Sequence, residues 1–262
     1  MKLSISNIAW AEENDALVYS LMKKYGFQGL EIAPTRIFPE RPYDQNAEAE
    51  VWIKQLKRAY GFCVSSMQSI WYGRQEKIFG TSEERRILLN YTKKAIDFAT
   101  SINCTNLVFG CPRNRNLPDG ADESTAIAFF KEIGDYAYSK GTAIGMEANP
   151  PIYNTNFING TESAFDLIEK VDSKGFLLNL DLGTMIQNEE DVSGLIGKVN
   201  LINHVHISEP GLKPIEERLI HRDLKALLEK ECYDGFISIE MGKVDDIGIL
   251  EDRMVYIRGI FE

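Results

Sequence analysis

The stretch "KKYGFQGLEI", residues 23–32, is answered at 58–67 by "RAYGFCVSSM", and the two share Tyr-Gly-Phe at 25–27 and 60–62. In each, a segment of helical period runs into a glycine, and a short apolar run follows. A glycine just past a helix end, where the backbone turns left-handed, accounts for the first half of the pattern; the run after it reads as a strand. Gly-Phe recurs in "DSKGFLLNLD" (172–181) and "CYDGFISIE" (232–240), and "YSKGTAIGME" (138–147) varies the theme at Gly141.

Working outward, the same punctuation predicts eight strands, at about 3–8, 28–33, 62–68, 105–110, 142–148, 176–182, 201–208 and 235–241. Helical segments fit between them, with one more after the last. Asn14 precedes "DALVYSLMKKY", which sets Leu17, Val18, Leu21, Met22 and Tyr25 on one face. Thr81 and Glu84 have the spacing of a capping box, and Asp122, Thr161 and Asp245 stand at similar helix starts. Strands that alternate with helices imply a parallel sheet with crossovers. Eight such units in 262 residues match a single (β/α)8 barrel spanning 1–262. A doubly wound open sheet fits less well, because "SNIAWAEEN" after the first strand is no glycine-rich phosphate loop.

Composition sets the outer limits. A net charge of -10 and a pI near 5.0 argue against nucleic acid, whose phosphates need a basic face. No run approaches the roughly 18 uncharged apolar residues of a membrane span. Cys63, Cys104, Cys111 and Cys232 lack CxxC spacing and read as small buried hydrophobes in a reducing, cytoplasmic setting.

In a barrel of this kind, chemistry sits at the C-terminal ends of the strands. The polar residues closing the predicted strands are Asn7, Glu31, Gln68, Glu147, Asp181, His206 and Glu240, while the fourth strand runs into "GCPRNR". Side chains two apart share a face, so His204 and His206 both point inward, as do Glu147 and Asn149. Glu147, Asp181, His206 and Glu240 come from four consecutive strands, none of which contains a lysine or arginine. Burying that many carboxylates is costly unless a cation compensates. One divalent ion would do so; three carboxylates and an imidazole suit Mn2+, Mg2+ or Co2+, with Zn2+ also compatible. Each group taken alone is as readily a helix cap or a satisfied core residue, and His204 alone either orients a ligand or fills the barrel.

"GMEANP" (145–150), "LNLDLG" (178–183), "HVHISEP" (204–210) and "ISIEM" (237–241), in this order, resemble the xylose isomerase-like TIM barrels. More narrowly they resemble the sugar phosphate isomerase/epimerase group, with its ketose 3-epimerases, inosose dehydratases and AP endonucleases. "SNIAW" and "GLEIAP" fit its first two strands. The resemblance implies that Glu147, Asp181, His206 and Glu240 bind the metal and that Glu147 and Glu240 are the acid/base pair. It also implies a dimer or tetramer. Three positions depart from the epimerase pattern. Thr184 stands where many members have histidine, "NPPIYNTNF" (149–157) lacks the usual Asn-Arg and second glutamate, and "SEPGLKPIEER" (208–218) supplies Lys213 and Arg218 only late.

The chemistry implied is proton transfer next to a carbonyl through a metal-stabilised enediolate, giving isomerisation or epimerisation of a sugar or sugar phosphate. Loss of a β-hydroxyl from the same intermediate would make the enzyme a dehydratase. Gln68, Asn149, His204 and Glu209 are candidates to face the substrate. Trp10, with Phe38, Trp71 and Tyr72, offers aromatic faces, and Arg113, Lys213, Arg218 and His221 offer partners for an anionic group. Ordinary loop packing or a solvated surface is the alternative for each. The departures favour a modified sugar, such as a phosphorylated, keto-acid or cyclitol relative. Two rivals are weaker: a DNA-repair endonuclease, which needs more than three histidines, and a barrel that binds sugar without turnover.

Overall fold

The structure, a computed structural model, describes all 262 residues. Eight strands form it: β1 (Lys2–Ser6), β2 (Gly29–Ile32), β3 (Cys63–Met67), β4 (Leu107–Phe109), β5 (Ile144–Met146), β6 (Phe176–Asp181), β7 (Ile202–Ile207) and β8 (Phe236–Ile239). They pair in parallel in chain order, and β8 closes on β1. The helices between them are α1 (Asp15–Lys24), α2 (Pro34–Ile37), α3 (Asn46–Tyr60), α4 (Ser82–Ser101), α5 (Ser124–Ser139), α6 (Thr161–Val171), α7 (Leu182–Gln187), α8 (Leu219–Lys230) and α9 (Ile247–Phe261). This is a single (β/α)8 barrel, as the strand count predicts. No helix is long and apolar enough to cross a membrane.

Alternation along each strand divides the buried residues between two environments. Ile5, Leu30, Ile32, Val205 and Ile207 join one cluster of 68 buried apolar residues drawn from strands and helices alike. The opposite faces are polar: Ser4, Glu31, His204, His206 and Ser238 are all buried. Barrels usually fill this space with branched aliphatics. Here Ser4 and Ser65 share a hydrogen bond of 2.6 Å, and Asn106 Nδ2 donates to Ser66 Oγ at 2.9 Å. Gly145 is part of the same accommodation, since a Cβ there would lie 2.6 Å from Asn106 Oδ1.

Local signals place most helix ends. Gly61 takes φ +84° at the end of α3, where only glycine adopts that backbone without strain. Thr81 and Glu84 form the reciprocal capping box in front of α4. Other expectations shift by a residue or so. Gly160 rather than Thr161 caps α6, Asp246 rather than Asp245 caps α9, and Asp122 accepts from Ser124 N before α5.

Three sequence expectations need correction. Leu17 does not join the buried face of α1; it is 51% exposed, because the helix packs through Val18, Tyr19, Leu21 and Met22. The cysteines are not uniformly buried. Only Cys104 is; Cys63 and Cys232 are exposed and Cys111 is half-buried. Of the loop aromatics, Phe38 and Trp71 pack inside and Tyr72 alone is open, at 71% exposure.

Candidate metal centre and active site

The register of the barrel brings the four predicted ligands to one place. Asp181 on β6 pairs with His206 on β7, and His206 pairs with Ser238 on β8. Glu240 follows two residues past Ser238 and so shares its face. Glu147 follows β5, where Gly110 lets it approach; a Cβ on that glycine would sit 2.7 Å from Glu147 Oε2. One ligand atom from each of Glu147, Asp181, His206 and Glu240 lies within 4.8 Å of every other. His206 Nδ1 is central, 3.0 Å from Glu147 Oε1 and 3.2 Å from Glu240 Oε2.

The group is held by neighbours that local sequence reading did not single out. Asn179, two residues before Asp181, donates to Glu147 Oε1 at 3.0 Å. Ser208 Oγ donates to Asp181 Oδ2, while Asp181 Oδ1 accepts from Thr184 N at 2.6 Å and so caps α7. The helix-cap reading of Asp181 is therefore correct for one oxygen and leaves the ligand reading intact for the other. Thr184 itself is turned away, its hydroxyl donating to Ala148 O at 2.8 Å. Arg115, in the loop after β4, is fully buried and donates to Glu147 O at 2.8 Å and to Asn149 Oδ1 at 2.9 Å. Asn179 was legible through its two-residue spacing from Asp181. Arg115 closes the "GCPRNR" stretch after the fourth strand, where nothing in the sequence separates it from Arg113.

Electrostatics follow from burial. Desolvation, with Glu147 adding to it, pushes the Asp181 carboxyl up to about 6. Desolvation likewise lifts Glu240 to about 7, against the pull of His206. Burial disfavours a charged His206, but Glu240 and Glu31 outweigh it and hold the imidazole well above its ordinary value. Three carboxylates and an imidazole nitrogen converging with no Lys or Arg side chain on the carboxylates form a donor set that fits a divalent cation.

A cavity of about 230 Å³ opens over this group, lined by Glu147, Asp181 and Glu240 together with Gln68, Asn149 and Glu209. Those last three expected residues thus reach the site. His204 lies one layer down, its ring centroid 5.3 Å from that of His206. Arg218 stands behind Glu209 and grips it with Nε and Nη2, both at 2.7 Å. Trp10, Lys213 and His221 are not brought to the cavity. Trp10 is buried against Tyr19 and donates to Asp15 at 2.7 Å, Lys213 is exposed on its loop, and His221 is buried on α8, 2.9 Å from Tyr256 Oη. Arg113 lines a separate cleft with Tyr72.

The model of the family described as xylose isomerase-like TIM barrel matches residues 19–258. No curated protein sequence matches the chain. Among solved structures, a 3-keto-D-glucoside 4-epimerase from E. coli is 20% identical, with 99% of each chain covered and a TM-score of 0.75. A D-psicose 3-epimerase from Clostridium cellulolyticum is 15% identical, with 100% of each chain covered and a TM-score of 0.78. An AP endonuclease of family 2 from Brucella melitensis is 21% identical, with 99% of each covered and a TM-score of 0.76.

Proposed function

The chain belongs to the xylose isomerase-like TIM barrel family, and from that premise we propose that it is a divalent-metal-dependent sugar isomerase or epimerase. The observation that carries this reading is the convergence of Glu147, Asp181, His206 and Glu240 within 4.8 Å under an open cavity. Epimerases among its structural neighbours are consistent with it. A divalent cation held by these four residues supplies Lewis-acid stabilisation of negative charge on the sugar's oxygens.

The chain's own groups then handle the proton. Glu147 and Glu240 approach the cavity from strands three apart, so one carboxylate removes the hydrogen next to the carbonyl and the other returns one from the opposite face. Asn179 holds Glu147, and Gln68, Asn149 and Glu209 offer hydrogen bonds to hydroxyls. No lysine or arginine lines the cavity, which favours an uncharged sugar over a phosphorylated one. The acidic lining and the chain's net charge of -10 disfavour a nucleic-acid substrate.

A dehydratase on a keto-sugar or keto-cyclitol is the second reading, and Tyr153 favours it. Tyr153 lines the cavity, and its hydroxyl accepts from Gly211 N at 2.9 Å, which leaves the hydroxyl's own proton free to be given to a departing hydroxyl.

The test is Glu147→Gln and Glu240→Gln, assayed on a panel of free and phosphorylated ketoses for metal content, net conversion and deuterium wash-in from solvent. Each change is expected to lower net conversion by roughly 10²- to 10⁴-fold. At least one variant is expected to retain exchange at the α-carbon, because one base remains. Metal-loaded variants that turn over at near-wild-type rates would remove both glutamates from catalysis.

A further inference from the structure

Beneath the four-residue group lies a second cluster, Glu31, His204 and His206, whose ligand atoms also fall within 4.8 Å of one another. Glu31 is on β2, across the barrel from β7, and is fully buried. Its Oε2 lies 2.8 Å from His206 Nε2 and 3.2 Å from His204 Nε2. Its Oε1 accepts from Gln68 Nε2 at 3.3 Å, and Gln68 in turn donates to Ser6 Oγ. A β-bulge after Leu30 sets Glu31 opposite Ser66 and aims it along this line.

The 2.8 Å between Glu31 Oε2 and His206 Nε2 is a hydrogen bond in which the carboxylate oxygen accepts, so Nε2 is the ring nitrogen that donates. That assignment leaves Nδ1 as the atom of His206 facing Glu147 and Glu240, at 3.0 and 3.2 Å.

We propose that Glu31 is a positioning residue for the metal centre: it holds the proton on His206 Nε2, fixes the ring, and thereby presents Nδ1 to the cation. This deepens the metal-dependent reading above and rests on it. The arrangement follows a general rule for metal-binding histidines, whose second ring N–H usually goes to a carboxylate or carbonyl that sets the tautomer. His204 contributes by crowding the same oxygen from below, and Gln68 by fixing the other. Glu31 is not placed on the substrate; its effect passes through His206.

The experiment compares wild type with Glu31→Gln, which keeps the side chain's size and removes its charge. Mn2+ affinity is measured by competition with a chromophoric chelator, and 15N-labelled histidine NMR is recorded with and without Zn2+. In wild type, one metal equivalent is expected, with Zn2+ on His206 Nδ1 and a slowly exchanging downfield Nε2–H signal. Glu31→Gln is expected to lose that slow exchange and to bind Mn2+ roughly 10- to 100-fold more weakly. Unchanged affinity together with an unchanged Nε2–H signal would overturn the proposal. So would Zn2+ on Nε2 in wild type, a reading that needs no variant to fold. Two metal equivalents in wild type, falling to one in Glu31→Gln, would instead make the lower cluster a cation site and also overturn it. Wild type that binds no divalent ion refutes the metal-dependent reading and with it the role of Glu31 toward a cation; an Nε2–H signal that still depends on Glu31 would show that the tautomer is set as described and that the failure lies in the metal reading.

Discussion

Arg115 reaches Glu147 through its backbone carbonyl, at 2.8 Å, and not through its carboxylate. The link to the carboxylate is indirect: Arg115 Nη2 donates to Asn149 Oδ1, and Asn149 Nδ2 donates to Glu147 Oε2 at 3.2 Å. Burial lowers the guanidinium to about 10, so it stays cationic at neutral pH. The one buried arginine beside the acidic group therefore fixes the frame at the end of β5 and leaves the Glu147 oxygens facing the cavity.

Removing that frame tests its role. Arg115→Met should lower the unfolding free energy by about 2–4 kcal/mol, since it strands buried carbonyls and an amide oxygen that now accept from a cation. Urea unfolding measures it. A loss under about 0.5 kcal/mol would mean that water or Asn149 replaces the arginine.

Metal binding should compete with protons. Glu240 and Asp181 are held up near 7 and 6 by burial, and both must be ionised to act as ligands. His206, held protonated by neighbouring carboxylates, must also give up a proton, so Mn2+ affinity should fall as pH drops by at least about tenfold per unit from pH 7 to 6 and more steeply below 6. Titrations at pH 8, 7, 6 and 5 check this. A constant affinity across that range would show that the two carboxyls are ionised throughout.

His221, remote from the cavity, should govern a separate pH effect. Burial depresses it to about 4 from an ordinary 6.5. Between those values the unfolded chain binds the proton and the folded chain does not, so stability is lost as pH falls from 6.5 toward 4. The loss from this group is at most about 3 kcal/mol. His221→Phe should flatten that part of the stability profile in chelator-treated protein. An unchanged slope would mean that the imidazole meets solvent on protonation.

Arg218 tests whether Glu209 needs its partner. Glu209 is 2% exposed and receives both Arg218 bonds and Glu216 N at 3.1 Å. Arg218→Met should cost about 1–2 kcal/mol, discounted because the arginine is one-third exposed, and should leave one metal per chain. A change in KM without a change in metal content would place Glu209 on the substrate. Loss of the metal would show that Glu209 steadies the centre.

The sequence by itself determined the strand count, the closed barrel and the identity of Glu147, Asp181, His206 and Glu240 as a group. These are local properties. Glycines mark helix ends, alternation puts His204 and His206 on one face, and strand order tells which side chains meet at the mouth. What the tertiary structure decided is non-local. Glu31 closes the second predicted strand as other polar residues close theirs, yet its partner His206 is 175 positions away and is reached only across the closed barrel. The bulges after Leu30 and Leu178 shift register by one residue, which no hydrophobic pattern records. Arg115 sits in a loop whose path depends on the backbone carbonyls it satisfies, and those become neighbours only after folding. Trp10, Lys213 and His221 had suitable chemistry and lay in helices or loops near the rim. Packing against Tyr19, exposure to solvent and burial on α8 removed them from the site, because a side chain's destination outside a regular strand is set by what it packs on.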